Sequence, residues 1–143
     1  MTVAQILKEK GNQVISVAGQ DTILHALEVM KQHHIGAVLV LDPKDKITGV
    51  LSERDIVRAL PEAGASLLAD PVSSLMTKDV ITCTPDHSIR DVMALMTKHR
   101  FRHMPVLKDG KLIGVISIGD AVKERISETE HEAEALRSYI TSG

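Results

Sequence analysis

The sequence predicts a mixed α/β (α+β) fold built from two β-α-β-β-α repeats packed with pseudo-twofold symmetry. Three observations carry this prediction. The chain is written twice, since Val14–Leu60 aligns with Val80–Arg125 across a single one-residue gap in the turn after Asp42. Apolar residues alternate between strand-like runs and helical spacing in the same order in both copies. A half of about 60 residues also buries little core and would be marginal alone, which is why the two copies are expected to pack together.

The register of the repeat is tight. Val14/Val80, Ile15/Ile81, Ile23/Ile89, Met30/Met96, His33/His99 and Val40/Val106 match before the gap. Lys46/Lys111, Gly49/Gly114, Val50/Val115, Ser52/Ser117, Asp55/Asp120 and Val57/Val122 match after it. A weaker echo precedes each copy, Val3-Ala4-Gln5-Ile6-Leu7 answering Val72-Ser73-Ser74-Leu75-Met76.

Each copy opens on a short strand, Val14–Val17 or Val80–Cys83, followed by a loop with Asp21-Thr22 or His87-Ser88. Thr22 and Ser88 are the expected N-caps of the next helix. Its apolar face is expected at Ile23, Leu27 and Met30 in one copy and at Ile89, Met93 and Met96 in the other. Two strands then form a hairpin: Gly36–Leu41 with Lys46–Leu51, and His103–Leu107 with Lys111–Ile116. Asp42-Pro43-Lys44-Asp45 and Lys108-Asp109-Gly110 supply the turn chemistry. A closing helix begins near Arg54 or Gly119.

The boundaries follow: residues 1–62 form the first repeat, 63–70 a linker, 71–127 the second repeat and 128–143 a C-terminal helical extension. Ile126, Ala133, Leu136 and Ile140 draw a thin apolar stripe along that extension, where a partner subunit is an expected contact. The run Glu128-Glu130-Glu132-Glu134 reads as a solvated face or a frayed tail.

Composition narrows the function. Apolar residues make up 43% of the chain and charged residues 25%, with a formal net charge of −2. No global basic field recruits DNA, and one Phe, one Tyr and no Trp leave no platform for stacking bases. The single Cys83 excludes an internal disulfide, which suits a reducing cytoplasm; on a strand it reads as a small buried hydrophobe. No apolar run approaches the roughly 20 residues of a membrane span, and the first residues lack a signal-peptide core. Seven histidines invite a metal, but adjacent His33-His34 cannot face one ion and no Cys or carboxylate completes a zinc spacing, so no metal site is expected. No Ser-His-Asp, Walker or dinucleotide-binding pattern occurs, so no catalytic residue is assigned.

The motif that carries chemistry is Gly-h-h-Ser-x-x-Asp, where h is apolar: Gly49-Val50-Leu51-Ser52-Glu53-Arg54-Asp55 and Gly114-Val115-Ile116-Ser117-Ile118-Gly119-Asp120. It falls where a strand hands over to a helix. The helix N-terminus offers unpaired N–H groups and a positive dipole end to phosphate. Ser adds a hydroxyl donor, and the Asp carboxylate can accept from two vicinal ribose hydroxyls. The plain alternative is a capping box, with Ser and Asp capping reciprocally. Recurrence at matched positions favours a ligand, and both roles fit one residue pair.

The tandem motif, together with Phe101-Arg102-His103-Met104-Pro105-Val106, resembles a CBS-domain pair (Bateman module), over nearly the whole chain. The stretches around Ser52–Arg58 and Val115–Asp120 resemble stand-alone bacterial CBS-pair proteins in particular. The resemblance implies a non-catalytic regulatory module holding an adenine nucleotide in the cleft between repeats. The ligand would be AMP foremost, with ADP, ATP or NAD(H) as options, bound as an effector and not as a catalytic cofactor. Carried over by position, Asp55 and Asp120 are ribose acceptors, with Ser52 and Ser117 near ribose or phosphate. Thr77, Thr82, Thr84, Met104 and Pro105 would surround one adenine, and Ser16, Ala18, Ala37 and Val38 the other. Arg102, His103 and Arg54 are the phosphate cations. Gly36-Ala37 stand where the second copy has Arg102-His103, so unequal clefts are expected. The resemblance also implies a cytoplasmic homodimer that signals to a regulated protein. The competing classes are a ligand-independent interaction scaffold and an RNA-binding module using Arg100–His103.

Overall fold

The computed structural model describes residues 1–142, and the chain divides into two compact units. One holds residues 13–81 with 110–112; the other holds residues 1–12, 82–109 and 113 onward. The first is built around the first repeat, the second around the second.

In the first-repeat unit, β1 (Ser16–Ala18), β2 (Ala37–Leu41) and β3 (Ile47–Ser52) form one sheet in that order. β1 runs parallel to β2, with Val17 opposite Val40, and β3 runs antiparallel to β2, with Ala37 opposite Ser52. Helix α2 (Ile23–His33) starts where the Thr22 hydroxyl accepts the His25 amide at 3.1 Å. It ends on His34 in the left-handed conformation. Its fully buried residues are Ile23, Ala26 and Met30, with Leu27 only partly covered, so the inward stripe lies slightly to one side of the expected one. Val17, Val38, Val40, Leu51 and Ile56 complete the core beneath it, with Leu67 and Val72 from the following segment. Helix α3 (Glu53–Ala63) leads into a 3-10 turn over Gly64–Ala69, so the expected linker is ordered and contributes Leu67.

The second-repeat unit repeats the plan with α4 (Ile89–His99), β4 (His103–Lys108), β5 (Lys111–Ser117) and α5 (Ile118–Ser142). Ser88 caps α4 through the Asp91 amide at 3.1 Å, and Arg100 closes it in the left-handed conformation, as His34 does in the first copy. The β4–β5 turn places Asp109 and Gly110 both at positive φ, the requirement of a tight hairpin. Ile89, Val92, Met96, Met104, Val106, Ile116 and Ala121 are buried. α5 runs unbroken through Ser142, so the expected extension is a continuation of the closing helix.

One expected strand is missing. Val80–Cys83 forms only a single parallel bridge, Cys83 to Val106. The reason is Pro105. In the first copy Leu39 donates its amide to the Ile15 carbonyl at 3.4 Å. Its counterpart Pro105 has no N–H to give. The remaining rungs survive, with the Cys83 amide on the Pro105 carbonyl at 3.0 Å and the Leu107 amide on the Cys83 carbonyl at 2.8 Å.

The segment before each repeat packs with the other repeat. α1 (Val3–Lys10) belongs to the second-repeat unit, where Val3 and Ala4 donate to the carbonyls of His87 and Pro85. Val72 and Ser73 make the matching bonds to Asp21 and Gly19 in the first-repeat unit. The motif glycines receive these segments. A Cβ on Gly49 would lie 2.7 Å from Met76 Sδ and 2.8 Å from the Thr77 carbonyl oxygen, and one on Gly114 would lie 2.7 Å from a Leu7 methyl.

Candidate functional site

In both copies the Ser-x-x-Asp element closes as a capping box. Asp55 Oδ2 accepts from the Ser52 amide at 3.0 Å and the Ser52 hydroxyl at 2.9 Å, while the Asp55 amide donates back to Ser52 Oγ at 3.2 Å. Asp120 Oδ2 accepts from the Ser117 amide at 2.9 Å, and the Asp120 amide donates to Ser117 Oγ at 3.1 Å. Each box is reinforced from the preceding strand entry. The Glu53 amide donates to the Gly36 carbonyl at 2.9 Å, and the Ile118 amide to the Arg102 carbonyl at 2.8 Å. The cap therefore exists, and it holds each carboxylate rigidly on one oxygen.

The two sites differ in charge. Lys10, from α1, donates through Nζ to Asp120 Oδ2 at 2.5 Å and to the Val115 carbonyl at 2.9 Å. Burial, the largest single influence on the Asp120 carboxyl, pushes its pKa up. The hydrogen bond from Lys10, the Ser117 amide and hydroxyl and the Lys10 charge together overcome it and hold the carboxyl below its ordinary value. Counting from Val3 and Val72, Asp79 is the residue in the first-repeat unit that answers Lys10. The basic residue is thus confined to one copy.

His103 begins β4 next to this pair. Burial lowers its pKa, the nearby Lys10 and Arg102 charges lower it further, and Asp120 opposes them. These influences favour the neutral imidazole, and Lys10 is the cation bonded to this unit's motif. The unfolded chain binds the His103 proton more readily, so His103 contributes a loss of stability as pH falls below about 6.5. Urea titrations between pH 7 and pH 5 should show a shallower loss for His103→Gln than for the wild type. Parallel curves would assign the acid lability to other groups.

The other expected residues are placed as follows. Ala37 lies across from Ser52, so β2 and β3 bring Ala37, Ser52 and Asp55 to one end of the first sheet. Ser16 pairs with Leu39 and Ala18 with Leu41, further along β1. Arg54 is exposed on the first turn of α3. Val38 and Met104 have their side chains in the core, at 2% and 0% exposure, so only their backbones can face a ligand. Pro105 is buried, and Arg102 is exposed. Thr82 flanks the Cys83 bridge, and Thr84 is engaged by His87, whose Nδ1 accepts the Thr84 amide at 2.9 Å and lies 3.0 Å from its hydroxyl. Thr77 belongs to the first-repeat unit, where its amide and carbonyl pair with Val50 at 2.9 and 3.0 Å. Burial pushes the Cys83 thiol up to about 11, so it stays protonated at neutral pH. Sequence reasoning missed Lys10 and His87. The echo before each repeat held the signal for Lys10, since its exchange between repeats is what brings α1 to Asp120.

Two α+β units, each turning from strand to helix through a Ser-x-x-Asp box, define a tandem-repeat module. The CBS domain profile matches residues 3–62 and again 72–127. The chain belongs to the CBS-domain family. It is 35% identical over 150 residues to the mitochondrial CBS domain-containing protein CBSX3 of Arabidopsis thaliana, covering 99% of this chain and 73% of that protein. The CBS-domain protein ATU1752 of Agrobacterium tumefaciens superposes with a TM-score of 0.85 at 41% identity, over 87% of this chain and 99% of that one. The CBS domain pair of protein MJ0100, solved with 5′-methylthioadenosine and S-adenosyl-L-methionine, shares the fold with a TM-score of 0.78 at 22% identity, over 90% and 98% of the two chains. Among the described residues no helix is long and apolar enough to cross a membrane, and no group of three or more His, Cys, Asp or Glu residues is placed to hold a metal ion.

Proposed function

We propose that this chain is a non-catalytic regulatory module that binds an adenine nucleotide, with AMP first and ADP, ATP or NAD(H) as alternatives. The observation that carries the reading is the Ser117–Asp120 box with Lys10 upon it. A carboxylate held on one oxygen keeps Oδ1 for a ribose diol, and a lysine at the same carboxylate supplies charge for a phosphate. Adenosyl ligands in the MJ0100 pair, which shares this fold, support the ligand class. The second-copy motif is the stronger of the two, because Asp55 has no lysine upon it. A cytoplasmic homodimer signalling to a regulated protein belongs to the same reading.

A thermal-shift series with AMP, ADP, ATP, NAD(H), S-adenosylmethionine and adenosine tests it. Ligand at 100-fold excess over Kd stabilises the native state by about 2.7 kcal/mol, a rise in Tm of several degrees for a chain of this size. AMP should raise Tm more than adenosine, and Arg102→Ala should narrow that gap by removing a phosphate cation. A melt unmoved by every one of these compounds at millimolar concentration would assign the chain to the ligand-independent scaffold class instead.

A further inference from the structure

The long closing helix presents a seam that the unit itself does not use. α5 turns Ala121 and Glu124 inward, at 0% and 8% exposure. On the opposite side Val122, Ile126, Leu136 and Ile140 are 39%, 54%, 60% and 67% exposed, and every residue from 129 to 141 is exposed. These apolar positions, with Ala133 and the polar Thr129 between them, keep a strict rhythm. Val122, Ile126, Thr129, Ala133, Leu136 and Ile140 are separated by steps of four, three, four, three and four residues. That is a 3.5-residue repeat, which keeps one seam facing a partner helix, whereas a face packed on a globular core follows 3.6. In heptad terms Ile126, Ala133 and Ile140 take position a, and Val122, Thr129 and Leu136 take position d. Ile126 and Ile140 at a and Leu136 at d follow the preference of two-stranded coils, while Ala133, Val122 and Thr129 fill the remaining seam positions. The polar Thr129 is already satisfied, its hydroxyl donating to the Arg125 carbonyl at 3.0 Å.

The flanking charges select both partner and direction. Positions g are Arg125, Glu132 and Tyr139, and positions e are Lys123, Glu130 and Arg137. In a parallel pair each g residue faces the e residue five positions later on the other strand. Arg125 then meets the partner's Glu130, and Glu132 meets the partner's Arg137. Both contacts are attractive, and symmetry makes each of them twice. Arg125 also holds Glu128 of its own chain at 3.2 Å, one turn along. The wholly exposed stretch 129–141 is of a length that is marginal as a helix by itself, and self-complementary charge beside an unused apolar seam points to a second copy of the same helix. We propose that α5 pairs with α5 of a second copy of this chain as a parallel, in-register two-stranded coiled coil from Val122 to Ile140.

Three variants of the full-length chain test this by sedimentation and oxidative cross-linking. In a parallel register Ala133 faces its own copy, so Ala133→Cys should form an intermolecular disulfide under mild oxidation, while His131→Cys on the outer face should not. Cys83 does not interfere, being 2% exposed. Leu136→Lys should weaken the dimer at least tenfold. Glu132→Arg and Arg137→Glu should each weaken it by roughly 3- to 30-fold, and the double reversal should restore it. The variant positions are exposed, so every variant should still fold cooperatively, and its melt should fall only as far as the weakened association predicts. A chain that sediments as a monomer at about 0.1 mM, a dimer indifferent to Leu136→Lys and the charge reversals, or an Ala133→Cys dimer that fails to cross-link would each overturn the proposal.

Discussion

Gly49→Ala should lower the unfolding free energy by about 1–3 kcal/mol, the cost of forcing a methyl group into a closed contact. The new Cβ would meet the Thr77 carbonyl at 2.8 Å and the Met76 sulfur at 2.7 Å. Thr77 cannot retreat cheaply, because its amide and carbonyl are both bonded to Val50, next to the substitution. Gly114→Ala should cost less, under about 1 kcal/mol, since the nearest obstacle there is the tip of the Leu7 side chain. Leucine can change rotamer where a paired backbone cannot move. Urea denaturation of the two variants measures the difference. Equal losses would mean that the segments preceding the two repeats are held with the same tolerance, contrary to the geometry.

That contrast also marks where the sequence was legible and where it was not. The repeat register survived intact in the structure, because it rests on positions that local chemistry fixes. Thr22 and Ser88 cap helices, His34 and Arg100 end them, and Asp109-Gly110 turns a hairpin. Each of these depends on a few neighbouring residues. The role of the Val3–Leu7 and Val72–Met76 echoes was hidden for the opposite reason. Each segment completes the unit of the other repeat, and nothing within five residues announces so distant a contact. The short strand at Val80–Cys83 was over-read because its own residues favour a strand. What dissolves it is the missing amide of Pro105, some two dozen positions away.

The candidate site divides along the same line. Ser52, Asp55, Ser117 and Asp120 were visible in the sequence because cap and ligand geometries share one spacing. Their arrangement as reciprocal caps does not decide between the two roles. Lys10 joins the motif in the second-repeat unit, and it could not be found without the fold. Burial and the Lys10 charge favour the neutral form of His103, and the lysine bonded to Asp120 stands 110 positions before it.

Asp120→Ala should separate the two roles of the motif and have the largest effect on binding. If Asp120 accepts from the ribose, its loss should weaken AMP by roughly 1–3 kcal/mol, about 5- to 150-fold in Kd. Removing the cap should cost about 1 kcal/mol of stability in addition. The comparison with Asp120→Asn is informative, since Asn keeps a capping oxygen while giving up the charge that holds Lys10. It should melt nearer to the wild type and still bind AMP poorly. Lys10→Met should weaken AMP but not adenosine, because only AMP carries the phosphate. The pH dependence follows from the lowered Asp120 pKa. A carboxyl whose folded pKa lies below its unfolded value contributes its full stabilisation above about pH 3.9 and loses it as pH falls through the folded value. The ionised acceptor is therefore complete throughout the neutral range, and AMP affinity should not titrate through Asp120 between pH 5 and pH 8. Calorimetry of AMP, 2′-deoxy-AMP and adenosine on the wild type and these three variants makes the decision. An Asp120→Ala protein that melts lower yet binds AMP with unchanged affinity would reduce Asp120 to a helix cap, and the nucleotide site would have to be sought elsewhere.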